Sequence, residues 1–394
     1  MFFEINNLPD GTFSNSSYLI RDLWLNHDEG WTTNDIGVAR IIFKGYVESQ
    51  EIDIKFLNQI YQDPTPRYQG NFLAVIVKAN GEIVITHDRH RGTPLLMRQY
   101  PFVITNLPGK ESDPVWADRY ITITENNVID CEQFDPYGDT AITIQQRPEI
   151  ISRLDSVISS KVEQFVNHIQ QPIKVFLSGG VDTLCLFSYL KKYTDNFELV
   201  NYEHIDFTST YIKKKHLIDQ YWGYKQIHLW KDPTILLTGA NGDENLMRSP
   251  ATTTLLLMHY GHDIFELLGP ENYHYEYLTA EKLHATYEYI RSNVDNQELV
   301  KDYQALCDQI LNINLNDHQH WHFDNTLTWT PFKDLELCKI MLSMTEKDLL
   351  DQIMNAGISK ELIEINDPTL LEGLSNQKNR NTQENLQDIY SRYL

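Results

Sequence analysis

The sequence predicts a mixed α/β chain of two domains. Residues 1–140 form a β-rich half, and residues 141–394 form a doubly wound, parallel α/β sheet. Three observations predict this. Short segments of alternating apolar residues crowd the first half, and Asn80-Gly81 stands between two of them as a hairpin signal. In the second half, strand and helix patterns alternate, as crossovers between parallel strands require. The change of texture falls within Asp135 to Arg147.

Each element follows from local pattern. Two helical stretches are expected to interrupt the strands of the first half, one around Ile52 to Tyr61. Phe72 to Val77 alternates about a half-buried face, and Ile83 to Thr86 returns after the turn. Pro94 to Met97 and Phe102 to Thr105 read as a second hairpin, and Tyr120 to Thr124 as a further strand. Between Ile150 and Gln170, residues such as Ile151, Leu154, Ile158, Val162 and Phe165 recur near helical spacing. A strand at Val175 to Leu177, a Gly-rich loop and a helix through Tyr189 follow. Beyond them come a strand at Glu198 to Tyr202, a helix at Tyr211 to Trp222, and strands at Gln226 to Leu229 and Leu236-Leu237.

Composition narrows the function classes. With 394 residues, 41% hydrophobic and 22% charged, the chain can bury two cores. A formal net charge of -22 repels polyphosphate backbones, which argues against non-specific nucleic-acid binding and against anionic membranes. No segment reaches the apolar length of a membrane span, and MFFEINNLPDG lacks the pattern of a signal peptide, so a cytoplasmic protein is expected. Cys131, Cys185, Cys307 and Cys338 form no CxxC pair and read as reduced, mostly buried thiols.

The chemistry concentrates in Ser178-Gly179-Gly180-Val181-Asp182-Thr183, between the apolar run ending at Leu177 and a helical stretch. Glycines there let the backbone approach a ligand, and the N–H groups opening the helix favour an anion. Ser178 and Thr183 add hydroxyls, and Asp182 sets a carboxylate beside the anion, an arrangement that makes sense when Mg²⁺ bridges carboxylate and phosphate. The Lys of a Walker A loop is absent. A second Gly-rich turn, Gly239-Ala240-Asn241-Gly242-Asp243-Glu244, follows a short apolar strand and presents two acids. Asp182 and Asp243 are the pair expected to face metal. Thr330-Pro331-Phe332-Lys333-Asp334 reads as a helix start, and Gln377-Lys378-Asn379-Arg380 as a basic island.

The first loop resembles the SGGxDS pyrophosphate loop of the ATP pyrophosphatases, with Thr183 in place of Ser. The four motifs, in their order and spacing, resemble the synthetase domain of asparagine synthetase B and of the β-lactam and carbapenam synthetases. In the first half, Gly70 to Ile76 and His87 to Leu95 resemble signatures of that family's glutaminase domain. The resemblance covers most of the chain. It implies an N-terminal αββα nucleophile-type sandwich ahead of an ATP pyrophosphatase domain. It implies ATP and Mg²⁺, with Ser178, Gly179, Gly180, Asp182, Thr183 and Gly239 at the pyrophosphate, Asp182 and Asp243 on the metal, and Lys378 at the adenylate. A homodimer is common among the relatives.

The pattern also breaks. Residue 2 is Phe rather than the nucleophilic Cys, and the glutamine-binding NGE element is replaced by Phe43 to Glu48, which implies a first half without glutamine hydrolysis. Ala240 replaces the residue that separates asparagine from β-lactam synthetases. Trp329 replaces an Arg before PFxD, and Asn245-Leu246-Met247-Arg248 replaces FGGY. The expected activity is an ATP-dependent, AMP-forming amide ligase joining a small-molecule carboxylate to ammonia or an amine without glutamine hydrolysis. The alternatives are an ammonia-dependent asparagine synthetase and a nucleotide-binding pseudoenzyme of the same fold. His318, His320 and His322 alternate near Asp317 and Asp324 and read as a loop or solvent face rather than a metal site.

Overall fold

In a computed structural model, the described residues are 3–6, 17–20, 23–27, 30–48, 50–89, 95–98, 102–105, 113–114, 119–124, 129–133, 143–169, 173–177, 180–201, 221–223, 234–239, 242–248 and 326–373. They form a mixed α/β structure with antiparallel and parallel sheets. The chain divides into two compact units, Met1–Gly138 with Asn312–Leu327 and Asp139–Leu311 with Thr328–Leu394.

The first unit is built on two antiparallel sheets. Its elements are β1 (Phe3–Asn6), β2 (Ser17–Ile20), β3 (Leu23–His27), β4 (Thr32–Asp35), β5 (Ala39–Val47), α1 (Ile54–Gln62), β6 (Gly70–Lys78), β7 (Ile83–His87), β8 (Leu96–Arg98), β9 (Val103–Thr105), β10 (Asp113–Pro114), β11 (Arg119–Ile123) and β12 (Ile129–Gln133). One sheet runs β10-β8-β9-β1-β3-β2, the other β12-β11-β7-β6-β5-β4. Ile5, Leu23, Leu25 and Ile104 of the first sheet meet Ile42, Leu73, Val75, Ile85 and Ile121 of the second in one core. On the opposite face of the second sheet, Phe43, Phe72, Ala74 and Ile76 pack under Phe56, Leu57 and Ile60 of α1. The layers are thus helix, sheet, sheet, and β6 feeds both cores because alternate side chains point to opposite faces.

Local chemistry explains the boundaries. Helix α1 begins at Ile54 rather than Ile52, because the Asp53 carboxylate accepts the Phe56 N–H at 2.8 Å and caps the first turn. The expected Asn80-Gly81 turn is a three-residue loop: Gly81 N–H donates to Lys78 O at 2.9 Å, and Gly81 takes φ 85° before β7 departs. Gly45 and Gly70 sit where β5 and β6 pair. A β-carbon on Gly45 would lie 2.0 Å from Asn71 O, and one on Gly70 2.3 Å from Tyr46 O.

The third sheet consists of β13 (Ile173–Phe176), β14 (Glu198–Asn201), β15 (Tyr221–Gly223) and β16 (Thr234–Leu237) of the second unit with β17 (Thr326–Trp329), which ends in that unit, in the order β15-β14-β13-β16-β17. The pairings of β13 with β14, β14 with β15 and β13 with β16 are parallel. Among the described strands the order therefore reverses between β13 and β16. In open α/β sheets that reversal leaves a crevice at the carboxyl ends of the strands. Tyr221 and Trp222, expected to close a helix, are strand residues that pair with Leu199 and Val200. The rest of that expected helix and the strand at Gln226 to Leu229 lie outside the described residues.

The helices of this unit are α2 (Arg147–His168), α3 (Val181–Tyr193), α4 (Gly242–Asn245), α5 (Leu335–Leu342), α6 (Glu346–Asn355) and α7 (Gly357–Asn366), followed by a 3-10 turn at Pro368–Gly373. Every residue of α3 from Val181 to Leu190 is buried, since α2, α4 and α7 all pack on it. Helix α2 starts three residues before the apolar stripe, with Pro148 in its first turn and Arg147 paired to Asp351 and Glu361. Among the described residues, no helix is long and apolar enough to cross a membrane.

At the far end of α3, Lys191 donates to Asp367 at 2.6 Å, and Thr369 caps the same carboxylate. Burial alone would raise the Asp367 carboxyl, but the bonds from Lys191 and Thr369 outweigh it and hold the group below its usual range. Its contribution is present above the ordinary Asp pKa and is lost as pH falls through the depressed value. Asp367→Asn should therefore cost about 1 kcal/mol at pH 7 in urea unfolding. The difference from wild type should shrink as the pH is lowered below about 4.

Candidate functional site

Both Gly-rich motifs sit where the strand order reverses. Leaving β13, the chain passes through Leu177 and enters α3 at Val181, with Gly180 as its N-cap residue. Ser178 and Gly179 lie outside the described residues. The Thr183 hydroxyl donates to Gly180 O at 2.9 Å, and Leu184 N–H makes the first helical bond to the same carbonyl at 3.0 Å. Asp182 occupies the first turn and is buried, with 7% of its surface exposed. Leaving the neighbouring β16, the chain runs through Thr238 and Gly239 to α4, which carries Asp243. Ala240 and Asn241 are not among the described residues, nor is the side chain of Glu244.

Two glycines let these turns meet. A β-carbon on Gly239 would lie 2.7 Å from Thr183 N and 3.0 Å from Asp182 C. One on Gly242 would lie 2.6 Å from Asp182 Cβ and 2.8 Å from its Cγ. Neither obstacle is the loose end of a flexible side chain, so a methyl group at either position would force the second turn away from α3.

The approach brings two carboxylates onto one cation. Arg248 Nη1 lies 2.7 Å from Asp182 Oδ2 and 2.7 Å from Asp243 Oδ1. The first contact is an aligned hydrogen bond, whereas the second is an ion-pair contact without that alignment. Asp182 Oδ1 is buried and has no hydrogen-bond partner among the described residues. Burial pushes the Asp182 carboxyl well up, Arg248 pulls it back, and Asp243 adds to the rise. One helical turn on, burial and then the Asp182 charge push the Cys185 thiol up, which leaves it inert as a nucleophile. Cys185 and Cys338 are both buried.

The turn that carries Arg248 is held from several sides. Arg248 N–H donates to Asp243 O at 2.6 Å and Leu246 N–H to Gly242 O at 2.8 Å, closing α4 around Met247 at φ 57°. Asn245 Nδ2 donates to Phe332 O at 2.9 Å, which ties this turn to the Thr330 to Asp334 motif. Gln352 of α6 donates to Leu246 O at 2.7 Å and to Ser359 at 2.8 Å. In the third motif, Asp334 caps α5 by accepting Leu337 N–H at 3.0 Å, and its other oxygen lies 2.8 Å from Lys161 of α2. Trp329, the position of an expected Arg, stacks on Phe165 with ring centroids 4.1 Å apart.

Of the residues expected at the site, the structure brings together Gly180, Asp182, Thr183, Gly239 and Asp243. Lys378 lies outside the described residues, as do His318, His320 and His322. Arg248 is the residue that sequence reasoning missed. Its signal was a single basic residue five positions after Asp243, in a segment noted only for departing from FGGY.

The donor set can be tested against a divalent cation. Two carboxylates supply hard oxygen donors, and one buried oxygen is left without a partner, which fits Mg²⁺ held by one or two carboxylates together with substrate phosphates. Among the described residues no group of three or more His, Cys, Asp or Glu side chains could hold a metal ion, so the pair would not bind one as an all-protein cage. No protein-family model matches this chain, and no curated protein matches it.

Gly239→Ala and Gly242→Ala should each destabilise the chain by about 1–3 kcal/mol, the usual cost of overpacking. Urea unfolding measures this. A midpoint unchanged from wild type would contradict the close approach of the two turns.

Proposed function

We propose that the second unit is an ATP-dependent, AMP-forming ligase that joins a small-molecule carboxylate to an amine. On this reading the second unit is an ATP pyrophosphatase domain of the asparagine synthetase and β-lactam synthetase type. The first unit is then a nucleophile-type sandwich without glutamine hydrolysis. The observation that carries the reading is the meeting of Asp182 and Asp243 at the reversal of strand order, each 2.7 Å from the same nitrogen. The sequence Ser178 to Thr183 around that acid supports it.

The chemistry follows from the placement. The opening of α3 presents a helix N-terminus to the polyphosphate of ATP, and Asp182 and Asp243 would hold Mg²⁺ beside it. When bound, the metal supplies positive charge against the leaving pyrophosphate. A carboxylate oxygen of the substrate attacks the α-phosphorus, and the bond to the bridging oxygen of the β-phosphate breaks. An amine then attacks the acyl carbon, AMP leaves with the bonding electron pair, and the amine proton passes to solvent or a base. Lys378 is proposed to steady the oxyanion of this second step, by the resemblance of its segment. Because Phe43 to Glu48 stands where the resemblance would put a glutamine-binding element, the amine is proposed to come from ammonia, a second substrate or the same molecule rather than from glutamine.

One observation favours a second reading. Arg248 neutralises part of the carboxylate pair, as it would in a nucleotide-binding pseudoenzyme that works without metal.

AMP and pyrophosphate release from Mg²⁺–ATP separates the two readings. Aspartate with ammonium is tested first, then a metabolite extract. The ligase should release both products in at least one pool, and Asp182→Ala should lower the rate by about two orders of magnitude or more. ATP binding without release in any pool would favour the pseudoenzyme, and turnover unchanged in Asp182→Ala would refute the site.

A further inference from the structure

We infer that Arg248 is a resident cation that competes with divalent metal for the Asp182–Asp243 pair, so that metal and polyphosphate enter by displacing its guanidinium. The inference rests on the reading of that pair as a metal site.

The geometry makes the two cations exclusive. A single nitrogen, Nη1, makes both close contacts, at 2.7 Å each. Mg²⁺ binds its oxygens at about 2.0–2.1 Å, so a metal shared by these carboxylates needs the space that Nη1 holds. The charges do not balance either. Among the described residues one guanidinium faces two carboxylates, and Asp182 Oδ1 remains buried without a hydrogen-bond partner. A divalent ion would balance the pair, whereas the guanidinium neutralises half of it.

The placement is built rather than incidental. Met247 takes a left-handed conformation that few L side chains adopt, and this turns Arg248 back toward Asp243. Asn245 and Gln352 anchor the same turn to Phe332 O and Leu246 O. The pair is graded in exposure as well. The Arg248 side chain is 23% exposed and Asp243 41%, while Asp182, at the inner end, is 10% exposed. An outward movement of the guanidinium would run toward the more exposed Asp243. Once displaced, its planar fork suits a phosphate group, which a metal–polyphosphate ligand brings with it. The device is a gate: the apo chain holds its carboxylates neutralised in part, and metal alone binds weakly until phosphate offers the arginine another anion.

Mn²⁺ binding to the full chain, followed by electron paramagnetic resonance of the free ion, tests this without any reliance on turnover. Arg248→Gln should bind one Mn²⁺ at least about tenfold more tightly than wild type in the absence of nucleotide, because the competing charge is gone. Arg248→Met, uncharged and of similar length, should do the same and carries the comparison if the Gln variant does not fold, as judged by circular dichroism. Adding Asp182→Asn to either variant should abolish the gain. Equal affinity in wild type and the uncharged variants would overturn the competition while leaving the metal site standing. Absence of Mn²⁺ binding in every variant, even with a non-hydrolysable ATP analogue, would overturn both the gate and the metal site.

Discussion

The site depends on a steric allowance, the absence of β-carbons at Gly239 and Gly242. Without it, the turn after β16 could not rest on the first turn of α3. The contact buries Asp182, and burial makes its charge costly unless a cation stands close by. Arg248 is that cation. Steric fit, burial and ion pairing therefore form one sequence of causes, each requiring the one before it.

What surrounds the pair is mostly bracing. Asn245, Gln352 and Ser359 form a buried polar chain from Phe332 O through Leu246 O into α7, in which Asn245 Oδ1 is left without a hydrogen-bond partner among the described residues. Asp334, in the motif that resembles a family signature, caps α5 and pairs with Lys161 across to α2. Its position is explained by these bonds without a role in chemistry. Trp329 likewise stacks its ring on Phe165, which anchors β17 to α2 by apolar contact.

Much of this was legible in the sequence where the cause is local. The Asn80-Gly81 loop, the α2 stripe and the strand–loop–helix passage into α3 follow from neighbours within a few residues. Where the cause is distant, pattern failed. Tyr221 and Trp222 continue a helical apolar spacing, yet pairing with β14 draws them into a strand. Asp182 and Asp243 could be matched as a pair from their motifs, but Arg248 could not be added to them. Its direction is set by a left-handed Met247 and by bonds to Phe332 and α6, none of which has a signature near residue 248.

Strand β6 lies between two apolar cores, with Leu73 and Val75 in one and Phe72, Ala74 and Ile76 in the other. Sliding it by one residue would exchange the two sets while keeping both dry, so water does not police its alignment as it does for a strand with one wet face. Shape must take over that task. Gly45 and Gly70 accept backbone at distances no side chain tolerates, and only one alignment of β5 on β6 puts both glycines at those points. The pair works as a notch. An error there would give a misaligned sheet as apolar as the correct one, recognisable by its volume mismatch and not by exposed hydrophobic surface.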